Sequence, residues 1–421
     1  MEELYQIFLE NPCIVTDTRK IKPNSIFFAL KGEHFNGNKF AAKAIEDGCK
    51  YAVIDEQEYK LNDRFVLVEN VLKTLQALAN YHRKKINIPI FSLTGSNGKT
   101  TTKELINVVL SSHKNCYATA GNFNNHIGVP LSILEINKDH EVAVIEMGAN
   151  HIGEIDFLCN IAEPDFGMIT NIGSAHLEGF GSLEGVIQTK TEIYRHLNKK
   201  EGTVFVNKDD DRLNGLSRNI KNIKFYGKDE SNFSTTRFIS AEPFVKLEWN
   251  NKTIQTNLIG SYNYTNIAAA ICIGEFFNIP EEKIINSLEL YTPSNNRSEI
   301  VKGKNTIILD AYNANPSSMK AALENFIQMN ATDKFFILGD MKELGQDSEK
   351  EHQAIIELLE KNNLKGILVG PCFKLSHTNY KTFETREESK PYINELNLNE
   401  NLILIKGSRG IKLEPLADIL K

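Results

Sequence analysis

Short apolar runs alternate with amphipathic stretches along most of this chain, and that alternation predicts its architecture. Residues 25–30 (SIFFAL) and 51–54 (YAVI) read as strands, with a helical pattern over 40–47 between them and a longer helix over 71–84. From Ile88-Pro89 onward, apolar runs at 91–94, 142–146, 168–172 and 204–207 are separated by helical patterns, the order expected of a parallel sheet wrapped by helices. Between 225 and 259 the pattern breaks into short strand-like pieces, and a helix follows over 264–277. After Thr292-Pro293-Ser294 the alternation returns at 306–309, 335–338, 366–369 and 402–405, which predicts a second doubly wound sheet. The chain therefore reads as three α/β domains, 1–85, 86–293 and 294–421. Its length of 421 residues agrees, at roughly 150 residues per domain.

Composition narrows the class without changing this picture. A formal charge of −6 is small for the size and proposes neither nucleic acid nor a membrane surface as a partner. No run approaches the ~18 apolar residues of a membrane span, and MEELYQIFLENP carries acids where a signal peptide would carry Lys or Arg. A cytoplasmic protein, monomeric and not inserted in a membrane, is expected. The six cysteines are scattered with no CxxC pair, which fits reduced thiols better than disulfides or zinc.

In open parallel sheets ligands gather at the carboxyl ends of the strands, so polar residues just after predicted strands carry most weight. TGSNGKTT at 94–101 lies between a strand and a helix. Its backbone N–H groups and helix N-terminus suit a phosphate chain, Lys99 adds a cation, and the Thr100 hydroxyl can ligate magnesium. Without ATP this loop is expected to leave Lys99 accessible to solvent. Glu146 closes the next strand and offers magnesium a hard oxygen, unless it is only a solvated strand-end acid. His176 follows the run at 168–172, where a lone histidine is more often structural. Two patterns are set aside. The glycines from 179 to 185 resemble a dinucleotide fingerprint with one spacing too long and no strand directly before it. Asn207-Lys208-Asp209-Asp210 fits the NKxD of GTPases, but no Asp in the chain has Gly three residues on, so the DxxG partner is missing.

Together these residues resemble the Mur ligase family, the ATP-dependent amide-forming enzymes of peptidoglycan precursor synthesis. The loop TGSNGKTT is that family's short phosphate loop, and the resemblance extends through the segments 121–130, 146–150, 175–181, 310–316, 339–345 (GDMKELG) and 406–409 (KGSR). Those segments resemble the branch that adds D-alanyl-D-alanine to a UDP-N-acetylmuramoyl-tripeptide, and the DNPR motif typical of the branch that adds the third amino acid is absent. The resemblance implies an N-terminal α/β UDP-binding domain, a central P-loop parallel-sheet ATPase domain and a C-terminal Rossmann-like domain. It implies ATP on Gly95, Ser96, Asn97, Gly98, Lys99, Thr100 and Thr101, with Asn263 and Asn266 facing adenine, Arg297 reaching the phosphates and Asp310 the ribose. Tyr262 stands where the family's GxHNxxN segment has histidine. Two Mg²⁺ ions are implied, one on Thr100 and Glu146 and a second on His176. Lys190 falls where the family has a carbamylated lysine, although by itself it reads as a surface lysine; Lys99, His176 and Lys190 are the implied catalytic residues. Thr18 and Arg19 would meet the UDP moiety, near Asn36-Gly37-Asn38 in place of the common DGH. Asn124, Asn125, Asn313, Asn315, Lys406, Ser408 and Arg409 would bind the remaining substrate. Three other readings share part of the pattern. Folylpolyglutamate synthases carry the loop but lack the N-terminal block, GDMKELG and KGSR. Another amino-acid-adding Mur ligase is the second, and a non-catalytic nucleotide-binding module is the third.

Overall fold

A computed structural model describes residues 1–173, 177–294 and 296–421. Its three main sheets follow one another along the chain. The first is parallel, in the order Ile14–Val15, Ile26–Phe28, Tyr51–Ile54, Phe65–Leu67. The second runs Cys116–Ala118, Val142–Glu146, Ile90–Thr94, Phe166–Ile169, Thr203–Asn207, Ile223–Gly227 and Ser234–Ser240, all parallel, and ends on the antiparallel strands Lys246–Trp249 and Lys252–Gln255. The third begins with the antiparallel edge strand Glu299–Lys302 and continues in parallel through Thr306–Asp310, Leu402–Lys406, Lys334–Gly339, Lys365–Val369 and Lys381–Phe383. The chain is thus a three-domain α/β protein with largely parallel sheets. Central strands such as Ile90–Thr94 and Val142–Glu146 are buried at every position, because helices cover both faces.

Helix Val71–Lys85 closes the first block but belongs energetically to the second. Asn70 caps it by accepting from the Lys73 N–H at 2.8 Å, and its buried Leu75, Leu78 and Ala79 share one core with helices Gly128–Glu135 and Glu154–Ala162. Burying each such leucine stabilises by about 1.5–3 kcal/mol. Polar contacts fix the same interface. His82 Nε2 lies 2.7 Å from the Ile136 carbonyl, and Arg83 donates to the Ala162 and Glu163 carbonyls and to Asp165. Burial pushes the pKa of His82 down, which favours a neutral ring there.

The run at 168–172 yields a shorter strand, ending at Ile169, because Thr170 and Asn171 turn away to bond the phosphate loop. The NKxD look-alike is a strand-to-helix turn. Asn207 Oδ1 accepts from the Asp209 N–H, and Asp210 caps helix Asp211–Leu216 by accepting from Leu213. All six cysteines are unbonded. Among the described residues no helix is long and apolar enough to cross a membrane.

Candidate active site

Strand Ile90–Thr94 lies between Val142–Glu146 and Phe166–Ile169, so a crevice opens at the carboxyl ends of these three strands. The phosphate loop spans it and leads into helix Lys99–Ser111. Gly98 has φ +76°, and a Cβ there would sit 2.7 Å from Asn266 Oδ1, so only glycine suits the position. The loop is braced from the neighbouring strand end. Ser96 and Asn97 donate their N–H groups to the Asn171 backbone oxygen and Oδ1, both at 3.0 Å, while Thr170 Oγ1 donates to the Asn97 carbonyl at 2.6 Å. Thr170 and Asn171, which brace the loop, were not singled out in the sequence; a Thr-Asn pair directly after a buried strand was the available signal.

Lys99 is not a solvated loop residue. Its Nζ folds back to donate to the Gly95 carbonyl at 2.7 Å and to that of Ser96 at 3.3 Å, leaving the side chain half-buried. Burial pushes its pKa down, partly offset by the charge of Glu146. Glu146 itself is 1% exposed. Its Oε1 accepts from Asn124 Nδ2 at 2.8 Å, while Oε2 is buried with no donor. An unpaired buried carboxylate oxygen is costly, and with the buried Thr100 beside the same cleft it forms a hard-oxygen set that fits Mg²⁺. Lys103, one turn further along the helix, is buried and donates to the Thr119 carbonyl at 2.7 Å; the sequence reading did not single it out.

Lys190 ends helix Leu183–Lys190 at 1% exposure, which overturns its reading as a surface lysine. Its Nζ stands 5.3 Å from the centre of the Phe180 ring. Burial, reinforced by the charge of Lys99, lowers its pKa to about 7. His176 lies outside the described residues.

The third domain closes the cleft from the other side. The Arg297 guanidinium carbon lies 3.7 Å from the Tyr312 ring centre, with its Nε buried and unpartnered, and that of Arg409 lies 5.5 Å from the same ring. Asp310 accepts from the Ser298 N–H at 3.2 Å and from Lys406 Nζ at 2.6 Å. Lys406 is buried and also donates to the Asn313 carbonyl, so its charge is committed to holding Asp310. Ser408 Oγ is likewise engaged, accepting from the Lys342 N–H and donating to the Ala314 carbonyl. Asn315 caps helix Pro316–Gln328, and its Nδ2 donates to Asn97 Oδ1 at 2.8 Å; Asn97 Nδ2 donates in turn to Ser317 Oγ at 2.9 Å. The second and third domains therefore meet on the phosphate loop itself.

The resulting cleft, about 950 Å³, is lined by Ser96 to Thr101, Asn124, Asn125, Glu146, Asn263, Asn266, Arg297, Asp310, Asn313, Asn315, Lys406, Ser408 and Arg409. Lys342 and Tyr312 line it too and were not singled out in the sequence. Asn263 and Asn266 are chained, Asn266 Nδ2 donating to Asn263 Oδ1 at 2.8 Å; Asn263 Nδ2 donates to Ile259 and Asn266 Oδ1 accepts from Thr102. Each amide still keeps one donor hydrogen and one acceptor lone pair. Thr18 and Arg19 lie elsewhere, in a short 3₁₀ turn of the first domain, with Arg19 paired to Asp17 at 2.7 Å.

A second cluster, Asp340, His352 and Cys372, has metal-like spacing. Its side chains are already engaged within the protein. His352 Nε2 accepts from the Met341 N–H at 3.0 Å, and Asp340 accepts from the N–H groups of Cys372 and Phe373 at the start of helix Pro371–Leu375. It is a structural brace.

Comparison with known proteins agrees with this arrangement. The family models for the Mur ligase family catalytic domain, the Mur ligase middle domain and the Mur ligase glutamate ligase domain match residues 13–92, 93–274 and 296–409. The UDP-N-acetylmuramoyl-tripeptide–D-alanyl-D-alanine ligase of Bacillus subtilis is 33% identical over 419 residues, covering 95% of this chain and 91% of the relative. That of Haemophilus influenzae is 34% identical, covering 97% and 93%. Among solved structures, MurF from Acinetobacter baumannii superposes with a TM-score of 0.86 at 32% identity, covering 97% of this chain and 92% of that one. The MurF ligase of Thermotoga maritima in complex with ADP gives a TM-score of 0.86 at 28% identity, covering 98% and 97%.

Proposed function

The chain belongs to the Mur ligase family, and from that premise we propose how its cleft works. The protein is an ATP-dependent ligase that joins D-alanyl-D-alanine to UDP-N-acetylmuramoyl-tripeptide in peptidoglycan precursor synthesis. The observation that carries the mechanistic reading is a single cleft combining the phosphate loop, the unpaired Glu146 carboxylate oxygen and the guanidinium groups of a second domain.

The tripeptide's terminal carboxylate attacks the γ-phosphorus of ATP, forming an acyl phosphate and releasing ADP. The amine of D-alanyl-D-alanine then attacks the acyl carbon, and the tetrahedral intermediate expels phosphate. Every participant is anionic, so the chain's task is to concentrate positive charge and donors while excluding water. Lys99 exchanges the Gly95 and Ser96 carbonyls for phosphate oxygens, and Arg297 swings from Tyr312 toward the same phosphates. Asn263 and Asn266 offer their remaining donor and acceptor to adenine, and Asp310, held by Lys406, takes the ribose. Thr100 and Glu146 would hold a magnesium ion, which supplies charge neutralisation on the phosphates. Lys190, with a pKa near 7, has a substantial free-amine fraction at neutral pH. That amine adds CO₂ to give a carbamate and a proton, turning a cation into an anionic oxygen ligand suited, with His176, to a second magnesium. Thr18 and Arg19 contact the UDP end. Asn124, Asn125, Asn313, Asn315 and Arg409 orient the peptide arm and dipeptide, while Ser408, its hydroxyl engaged by Lys342 and Ala314, holds the loop. The nucleotide-linked substrate suits the cytoplasm.

The reading is tested by labelling the tripeptide carboxylate with ¹⁸O. One label should appear in inorganic phosphate as the pentapeptide forms, and unlabelled phosphate, with the lost oxygen found in water, would overturn the acyl phosphate. Arg409 provides a narrower test, because it is exposed at the mouth of the cleft. Arg409→Ala should raise KM for the dipeptide or the peptide arm about tenfold, as expected for losing one charge-assisted hydrogen bond, while leaving KM for ATP nearly unchanged. Steady-state kinetics with each substrate varied in turn decides it; an ATP KM that rises most would reassign the residue to the nucleotide.

A further inference from the structure

Tyr262 immediately precedes helix Asn263–Phe276 and lines the cleft. The backbone is shaped to admit its ring. Gly260 has φ +86°, and a side chain there would collide with the Tyr262 ring, so the position is closed to other residues by both conformation and space. The hydroxyl lies 2.9 Å from Ser298 Oγ, across the boundary between the second and third domains. Ser298 is 7% exposed and held at φ +54°, a left-handed conformation that needs support from its surroundings. Its N–H donates to Asp310 Oδ1 at 3.2 Å, and its chain neighbour is Arg297.

A continuous path therefore runs from the amides of Asn263 and Asn266, through Tyr262 and Ser298, to Asp310. We propose that Tyr262 is a positioning residue for the nucleotide: its hydroxyl fixes Ser298, and through it Asp310 and Arg297, in register with the adenine-facing helix. The inference rests on the assignment of the nucleotide to this cleft and of Asp310 to the ribose. Its physical content is pre-organisation. Two halves of one subsite lie on different domains, and one half-buried bond between them reduces the ordering that binding must otherwise bring about.

Tyr262→Phe keeps the ring over Gly260 and removes only the hydroxyl, so the fold is retained, with a melting temperature lowered by no more than about 4 °C. The variant should raise KM for ATP about three- to tenfold, more than it lowers kcat, the range expected for one net hydrogen bond. It should also lose part of the preference for ATP over 2′-deoxy- and 3′-deoxy-ATP, which a merely structural residue would not affect. Ser298→Ala should do the same, and the double variant should be no worse than either single one, because both remove the same bond. Unchanged KM, additive effects, or an equal loss for ATP and its deoxy analogues would overturn the proposal. Asp310→Ala separates it from the reading beneath. If that variant loses ribose discrimination while Tyr262→Phe keeps it, only the positioning role fails. If Asp310→Ala keeps full discrimination, the ribose assignment fails and the positioning role with it.

Discussion

Lys99→Ala should lower kcat by about 10²–10³ while the protein remains folded. Removing one pre-organised charge from a site of developing negative charge typically costs that much. The ammonium donates to the Gly95 and Ser96 carbonyls, so alanine also loosens the loop. The fold should tolerate this, because the loop is held independently by Thr170 and Asn171. Turnover of purified variant, read beside its circular dichroism and melting temperature, checks the result; activity within about threefold of wild type would remove Lys99 from the mechanism.

Lys190→Ala should be comparably inactive, and a short-chain carboxylic acid able to enter the vacated space should restore part of the activity. The reasoning starts from burial. At 1% exposure and with Lys99 repelling it, the amine's pKa is lowered from 10.5 to about 7. The unfolded chain therefore binds a proton that the folded chain releases between about pH 7 and 10.5, and in that window stability rises with pH. In CO₂-free buffer near neutrality the burial is a cost to folding. The uncharged Lys190→Met should then melt higher than wild type while failing to catalyse, a trade-off typical of functional sites. Carbon-13 spectra of wild type under labelled CO₂ should show a carbamate signal that Lys190→Met lacks. Rescue by no acid, together with a lower melting temperature for Lys190→Met, would make Lys190 a packing residue.

The parts of this fold that were legible in the sequence are those where one physical cause acts alone. Strands 142–146 and 402–405 read correctly because burial on both faces leaves an unbroken apolar run. The edge strands Ile14–Val15, Phe65–Leu67, Cys116–Ala118, Glu299–Lys302 and Lys381–Phe383 were invisible, because short, partly exposed segments need neither alternation nor an apolar run. The phosphate loop was legible from the spacing of Gly95, Gly98 and Lys99, since a turn that close to a helix start admits few residue types. What holds the loop was not, because Asn171 reaches it from a strand distant in sequence. Charge was the least legible property. Lys190 looks solvated and is buried, while Lys406 looks like a ligand for the dipeptide and is spent on Asp310. A lysine's partner is set by tertiary contacts that no local pattern encodes.

The central claim is tested most directly by measuring ATP-dependent phosphate release with UDP-N-acetylmuramoyl acceptors carrying one, two or three amino acids, each with and without D-alanyl-D-alanine. Release should require the tripeptide acceptor and the dipeptide together, one phosphate per amide bond formed, with the pentapeptide product confirmed by mass. Release with an acceptor of one or two amino acids equal to that with the tripeptide, or hydrolysis of ATP that no acceptor stimulates, would contradict it.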